Sequence, residues 1–288
     1  MQATERPLVS GIYPGLSYDD YAALGGHRAS SLWPLVRQTP AHYQRRLMAP
    51  SAPTEAMVFG TAFHTFVLEP ERFKAEYVIG GPINPKTGKA YGRDTKAWAE
   101  WEACNPGALV ISEEDMEHLR GMRDSIMAHK EAHDILLAPG RETEVSMLWR
   151  DEATGLFLQG RLDHFHRPSV LFADLKTTKS VDPREFQRSC EDWGYFMQTA
   201  MYWDGLRALT GRKPYMPIVI PVEKTPPKYF SAVYEISVSD LAHGREQYHF
   251  ALRRWKWCMD NGEWPAYPGI MSLSPPKWAM DRPYEVIE

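Results

Sequence analysis

Residues 143–177 constrain the fold of this chain most, because apolar and polar side chains alternate there with the period of two that is typical of β-strands. Strands are predicted over 143–150, 156–166 and 170–177. Turn-forming residues separate them at 151–155 and 167–169. Connections this short predict that neighbouring strands pair as hairpins of one sheet.

Helical patterns surround these strands. We predict a short helix capped by Ser17 and a helix over 30–47, with Pro34 in its first turn and a break at Thr39-Pro40. A buried helix is predicted over 56–68, and further helices over 183–209 and 239–259. Another helix is predicted to begin after the capping residue Ser112, with an apolar stripe at Met116, Leu119, Met122 and Ile126. Further strands are predicted near 217–223 and 228–237, and residues 80–95 predict a mobile basic loop.

No composition shift divides the chain, so we expect one α/β domain over residues 1–288. Within it we expect a helical N-terminal elaboration over 1–55, a core over about 56–260 and a tail rich in Trp and Pro over 261–288. The net charge of −4 argues against a protein that coats nucleic acid indiscriminately. The chain has three cysteines, too few for a disulfide framework, which predicts a reducing compartment such as the cytoplasm. It has no apolar run of membrane-spanning length and no leader-like N-terminus, so we expect no membrane segment.

Charged residues in two adjacent predicted strands form the main candidate site. Asp174 and Lys176 are two residues apart in an apolar strand, so their side chains share a face where charges are costly unless they are paired or functional. Asp163 lies in the preceding strand, and a hairpin brings it close to Asp174. Two carboxylates and the Leu175 carbonyl suit Mg²⁺, and a neighbouring lysine can orient or deprotonate a water. The alternative is a surface ion pair.

Weaker candidates lie on either side of this pair. Gln198 and Tyr202 are four residues apart in a predicted helix and share a face, where they could bind phosphate or hold Lys176, or simply pack. His64 lies in an apolar helix and is either a metal ligand or a core residue. Glu144 is a third acid, or an exposed strand end.

Taken together, these motifs resemble the PD-(D/E)XK nuclease superfamily in its RecB-like and lambda-exonuclease-like branch. G-x-x-x-H at 60–64, G-x-L-D at 160–163, D-L-K-T at 174–177 and Q-x-x-x-Y at 198–202 occur in the order of that branch. No Pro-Asp pair precedes Asp174, and Asp163 supplies that acid.

A closer resemblance is to the exonuclease VIII (RecE-type) nuclease domain and its phage and prophage relatives. It rests on S-S-L at 30–32, T-P-A-H-Y at 39–43, F-G-T-A-F-H at 59–64, L-E-P at 68–70, W-P-A-Y at 264–267 and P-K-W at 276–278.

The resemblance implies a PD-(D/E)XK core, a central mixed β-sheet flanked by helices. It also implies hydrolysis of duplex DNA that depends on Mg²⁺, or on Mn²⁺, with two ions per site. Digestion would run 5′→3′ and leave 3′ single-stranded overhangs for recombination in a bacterial host cell. The partners would be a single-strand annealing protein and further copies of the chain in a trimeric or tetrameric ring.

The resemblance also assigns roles to residues. Asp163, Asp174, the Leu175 carbonyl, His64 and Glu144 would hold metal, Lys176 would position the water, and Gln198 and Tyr202 would contact phosphate or brace Lys176. Since the protein must bind a polyanion, Arg28, Arg37, Arg45, Arg46, Lys86, Lys89, Arg93 and Arg161 are candidate DNA contacts. An endonuclease with the same core and a catalytically silent DNA-binding module are the alternatives.

Overall fold

The computed structural model describes residues 9–49 and 52–275. The tail motif at 276–278 lies outside these residues. The strands are β1 (Gly11–Tyr13), β2 (Tyr77–Ile79), β3 (Leu109–Ile111), β4 (Arg141–Arg150), β5 (Phe157–His166), β6 (Leu171–Thr178), β7 (Ile218–Glu223) and β8 (Tyr234–Glu235). The helices are α1 (Tyr18–Ala22), α2 (Ala29–Arg37), α3 (Pro40–Met48), α4 (Glu55–Leu68), α5 (Pro70–Glu76), α6 (Lys96–Cys104), α7 (Glu113–Ala128), α8 (Lys130–Leu136), α9 (Pro183–Trp193), α10 (Tyr195–Thr210) and α11 (Val238–Asn261).

The centre of the molecule is a six-stranded sheet in the order β1-β4-β5-β6-β7-β8. All neighbours in it are antiparallel except β6 and β7, which pair in parallel, while β2 and β3 form a separate parallel pair. The predicted mixed sheet flanked by helices is therefore confirmed, and the predicted hairpins of β4, β5 and β6 are present. A parallel pair needs a long crossover connection, and α9 with α10 supplies it between β6 and β7.

Helices α2, α10 and α11 cover one face of the sheet. Val145, Met147 and Trp149 of β4 pack there with Leu32 of α2 and Leu252 of α11. These residues are almost fully buried. Each contributes about 1.5–3 kcal/mol relative to exposure to water. Met201 and Leu206 of α10 belong to the same cluster, which holds the three helices against the sheet.

Helices α4, α7 and α8 cover the other face at β6 and β7. Ala173 and Leu175 of β6 pack there with Ile220 and Val222 of β7. The predicted stripe of α7 is buried in the same cluster, and Ser112 caps that helix as predicted. Because side chains alternate along a strand, Asp174 and Lys176 point to the opposite face, toward α10.

Four predictions of local structure were wrong or incomplete. The helix predicted over 183–209 is divided at Gly194, whose φ of 72° is left-handed and ends α9. Pro34 lies in the second turn of α2, not in the first, because the helix begins at Ala29. The strand predicted over 228–237 shortens to two residues. The strands β1, β2 and β3 were not predicted, since three residues show no clear alternation.

Within residues 9–49 and 52–275, none of the helices combines the length and the apolar character needed to cross a lipid bilayer.

Candidate active site

The site forms where β5 and β6 separate. Their last backbone pair is His164 with Ala173, after which β6 continues alongside β7. Asp163 and Asp174 follow directly after that pair, one on each strand. The Asp163 carboxylate accepts a hydrogen bond of 2.7 Å from the backbone N–H of Leu175, which β5 no longer pairs with. The opening of the hairpin therefore places two buried acids next to each other.

A network of hydrogen bonds joins Lys176 to α10. Lys176 forms an ion pair with Asp174 and donates to the Gln198 side-chain oxygen at 3.3 Å. The Gln198 amide nitrogen donates at 3.3 Å to both Asp174 and the Tyr202 hydroxyl. Burial disfavours the charged form of Lys176, but Asp174 and Asp163 outweigh burial and raise its pKa. The network thus holds a protonated amine in one place.

His64 reaches the site from α4. Its Nδ1 lies 3.5 Å from the Asp163 carboxylate, and its side chain is partly buried. Burial works against a charged imidazole here, yet the attraction of Asp163 and Glu144 prevails and raises the pKa of His64 to about 9. The predicted helix over 56–68 therefore brings an imidazole to the acids.

Glu144 lies opposite Asp163 in the β4–β5 register, between the pairs Thr143–His164 and Val145–Leu162. Its φ is 52°, a left-handed conformation that non-glycine residues rarely adopt within a strand. Ligand atoms of His64, Glu144 and Asp163 all lie within 4.8 Å of one another. The left-handed backbone at Glu144 costs about 1–3 kcal/mol, and backbone strain of this kind is typical of functional sites.

Arg161 holds Glu144 in this position. Its guanidinium donates at 2.6 Å to Glu144, at 3.0 Å to the Ser146 hydroxyl and at 2.8 Å to the Leu16 carbonyl. Both charged side chains are largely buried. Arg161 is thus bound within the protein through its Nε and Nη1 atoms, and its contact with DNA phosphate stays a prediction. The sequence alone did not show that the side chains of β4 and β5 would pair in this way.

The acids of the site repel one another. Burial and the neighbouring Asp163 raise the pKa of Glu144, and the same two causes raise that of Asp174 to about 6 against the opposing effect of Lys176. Burial alone would raise the pKa of Asp163 as well, but His64 and Lys176 lower it. Three carboxylates this close therefore favour a bound cation.

The donor set fits a hard divalent ion. Carboxylate oxygens are the ligands that Mg²⁺ and Mn²⁺ prefer, and three are present beside one imidazole. His64, Glu144 and Asp163 already form a group of ligand atoms, while the Asp174 carboxylate is bound to Lys176 and lies next to that group. The contribution of the Leu175 carbonyl remains a prediction.

Two aromatic contacts in the site were not predicted. The Tyr195 ring lies 4.7 Å from the Lys176 amine, as a cation–π contact. Residues 195, 198 and 202 share one helical face, so this spacing could have identified Tyr195 had the helix start at Gly194 been recognised. A Cβ atom at Gly160 would lie 2.4 Å from the Tyr202 ring, so only glycine lets α10 approach β5.

The other predicted DNA contacts have different surroundings. Arg28 is the N-cap residue before α2 and lies over the Tyr21 ring, as Arg161 does, and Arg37 is exposed and forms an ion pair with Asp192. Further cations, exposed on α3 and in the loop over 80–95, are Arg45, Arg46, Lys86, Lys89 and Arg93. Of these, Arg93 lies over the Trp98 ring.

Comparisons with known proteins identify the fold. Residues 29–273 match a family described as a PDDEXK-like domain of unknown function (DUF3799). A solved structure named "putative exonuclease" from Eubacterium rectale is similar over 86% of this chain and 87% of its own, with a TM-score of 0.57 and 15% identity. A phage-related exonuclease from Haemophilus somnus is similar over 83% of this chain and 96% of its own, with a TM-score of 0.35 and 10% identity. A comparison with curated proteins gave no match.

The first of these structures shows a shared fold, and the second TM-score is too low to show one. The family match is stronger, because it spans most of the chain and includes His64, Glu144, Asp163, Asp174 and Lys176. The predicted resemblance to PD-(D/E)XK nucleases is confirmed, and this chain belongs to the PDDEXK-like family.

Proposed function

We propose that this chain is a DNA exonuclease that depends on a divalent metal. The observation that supports this most is the group of three acids beside a held lysine. Asp163 and Asp174 are buried, Glu144 is largely buried, and all three lie near Lys176. A buried cluster of like charges is unfavourable unless a cation or a reaction requires it. The fold shared with a protein named as an exonuclease supports the same reaction.

Asp163, Asp174, Glu144 and His64, with the Leu175 carbonyl, would hold Mg²⁺ or Mn²⁺, two ions per site. Bound there, such ions supply hydroxide at neutral pH and stabilise the negative charge of the phosphate and of the leaving oxygen. Within the chain, the guanidinium of Arg161 keeps Glu144 aimed at Asp163, and the Leu175 N–H fixes one Asp163 oxygen. These contacts orient the ligands before any ion binds.

Lys176 acts as a donor in this proposal. Because its pKa is raised, the amine keeps its proton and can orient the attacking water or the phosphate oxygen. Gln198 and the Tyr195 ring restrict where the amine can lie. Tyr202 is buried beneath Gly160 and braces Gln198, so we assign it a positioning role and not a phosphate contact.

The reaction would form a bond from the water oxygen to phosphorus and break the bond from phosphorus to the leaving oxygen, which takes up a proton. Arg28, Arg37, Lys86, Lys89 and Arg93 would bind the DNA backbone along the approach to the site. Following the resemblance, we further propose 5′→3′ digestion, 3′ overhangs for recombination by strand annealing, a trimeric or tetrameric ring, an annealing partner and a location in the cytoplasm of a bacterial cell.

Substrate topology separates the exonuclease from the endonuclease alternative. Linear duplex DNA and covalently closed circles of the same sequence are incubated with the protein and Mg²⁺. The proposal predicts that linear DNA is shortened progressively and that closed circles stay intact. Cutting of closed circles would establish an endonuclease, and no cleavage of either substrate would favour a silent DNA-binding module. End labels on each strand give the polarity.

A further inference from the structure

Helix α9 leaves one aromatic side chain uncovered. Phe186, Cys190 and Trp193 follow the i, i+4, i+7 spacing of a single apolar stripe. Phe186 and Cys190 are each 3% exposed, whereas Trp193 at the end of the stripe is 69% exposed. An indole in water forgoes the stabilisation that burial gives the other two side chains.

The uncovered indole is close in sequence to two residues that lie at the proposed active site. Cys190, one turn earlier on the same stripe, lies close enough to Lys176 and Asp174 for their charges to shift its pKa. Two residues after Trp193, the Tyr195 ring contacts the Lys176 amine. The stripe therefore begins in the core, includes one residue near Lys176 and ends in solvent.

The backbone that carries this indole is held in place. Gly194 has a φ of 72°, and a Cβ atom there would lie 2.6 Å from the Trp33 ring. The Trp33 indole N–H donates to the Asp192 carbonyl at 3.1 Å, and Arg37 forms an ion pair with the Asp192 carboxylate. Because this backbone is already ordered, a ligand that packs against the indole has to order only the side chain, which has two rotatable bonds.

We propose that Trp193 is a stacking platform for a nucleobase near the end of the DNA held in the active site. A flat apolar ring beside a phosphodiesterase centre suits the flat face that every base presents, so the contact would bind DNA without selecting sequence. The inference rests on the proposed function, because it takes DNA to be the substrate. It adds a contact to the base, where the site residues above act on phosphate and metal.

The test combines a protein change with a substrate change. Binding of a duplex with an internal fluorescent label is measured in Ca²⁺, for wild type and for Trp193→Ala, with natural ends and with ends that carry an abasic nucleotide at the first, second or third position. Stacking predicts that Trp193→Ala weakens binding of natural ends by about 5-fold to 100-fold. It also predicts that Trp193→Ala no longer weakens binding when the abasic nucleotide replaces the base that stacks on the indole. Trp193→Phe should bind DNA with an affinity close to that of wild type.

Trp257→Ala is the matched control, since Trp257 is also an exposed indole, 47% accessible, but lies on α11. It should bind both kinds of end like wild type. Equal weakening of natural and abasic ends by Trp193→Ala, or no weakening, would overturn the stacking role. Cleavage in Mg²⁺ is measured in parallel. Cleavage without coupling between Trp193 and a base rejects this inference alone, whereas coupling without cleavage rejects the proposed function alone.

Discussion

The two sides of the candidate site differ in how their charges are balanced. On the α10 side, Lys176 is paired with Asp174 and hydrogen-bonded to Gln198. On the β4 side, Glu144 and Asp163 face each other, and the His64 imidazole reaches them from α4. The backbone of Glu144 is left-handed. On the α10 side the amine is held by several partners, whereas on the β4 side two carboxylates and an imidazole place ligand atoms within 4.8 Å of one another.

This difference indicates a division of roles. A side chain held by several bonds keeps its geometry when substrate arrives, as a positioned donor must. On the β4 side, burial and the neighbouring Asp163 raise the pKa of Glu144, so the two facing acids gain free energy when a cation enters. The α10 side therefore positions the Lys176 donor, and the β4 side binds the cation. The predictions below test each side, from the largest effect to the smallest.

Lys176→Met should lower the rate of DNA cleavage by about 10²-fold to 10⁴-fold, because the positioned donor is removed while the aliphatic stem remains. Single-turnover cleavage of linear duplex measures this, and calorimetric titration with Mn²⁺ should show that metal affinity is largely retained. Lys179→Met, at an exposed position just after β6, is the control and should cleave like wild type. Loss of metal binding together with activity would instead indicate a structural ion pair.

Arg161→Ala should lower the free energy of unfolding by about 3 kcal/mol, because it leaves the Glu144 carboxylate buried without its partner. Urea denaturation followed by circular dichroism measures the change. Arg37→Ala removes an exposed ion pair with Asp192 and should cost about 0.5 kcal/mol or less. Equal, small effects of both substitutions would contradict the view that Arg161 holds the β4 side together.

Gly160→Ala should destabilise the protein by about 1–3 kcal/mol and reduce cleavage, because its Cβ atom meets the Tyr202 ring and displaces the helix that positions Lys176. Gly60→Ala, in the G-x-x-x-H motif, is the matched control. Among residues 9–49 and 52–275, no atom outside the neighbouring residues and the local helix backbone lies within 4 Å of a Cβ at Gly60, and the position is helical. This variant should therefore be as stable as wild type or slightly more stable. Thermal unfolding compares them, and a destabilised Gly60→Ala would reverse the interpretation.

The smallest effect concerns the thiols. Cys104 is exposed, whereas burial raises the pKa of Cys190 to about 12 and also raises that of Cys258. We expect Ellman's reagent to label one thiol quickly in the native protein and the other two only after denaturation. Rapid labelling of Cys190, identified by mass spectrometry, would show that the α10 side opens to solvent and is not the rigid half of the site.

The sequence predicted local parts of the site well. Asp174 and Lys176 share a strand face, and Gln198 and Tyr202 share a helix face, because strand and helix periods place them there. Their hydrogen bonds in the structure agree with that placement. The three central strands were predicted for the same reason, since alternation over eight to ten residues is a strong signal.

What depends on pairing between distant segments was not predictable. The Arg161–Glu144 ion pair requires the register of β4 against β5, and the left-handed backbone at Glu144 has no sequence signature. Likewise, β8 is short because Pro221 in β7 offers no N–H to that edge of the sheet. The sequence shows which residues are charged, but the register of β4 against β5 determines which of them lie close together.

The account is tested most directly by cleavage of end-labelled linear duplex with and without Mg²⁺, comparing wild type with Asp163→Asn. The asparagine keeps the size of the side chain and an acceptor for the Leu175 N–H but removes the charge. We predict that wild type shortens the duplex only when Mg²⁺ is present. Asp163→Asn, once circular dichroism has confirmed that it is folded, should cleave at least about 10²-fold more slowly. Equal cleavage by both proteins, or cleavage that persists in a metal chelator, would contradict a metal-dependent nuclease built on these acids.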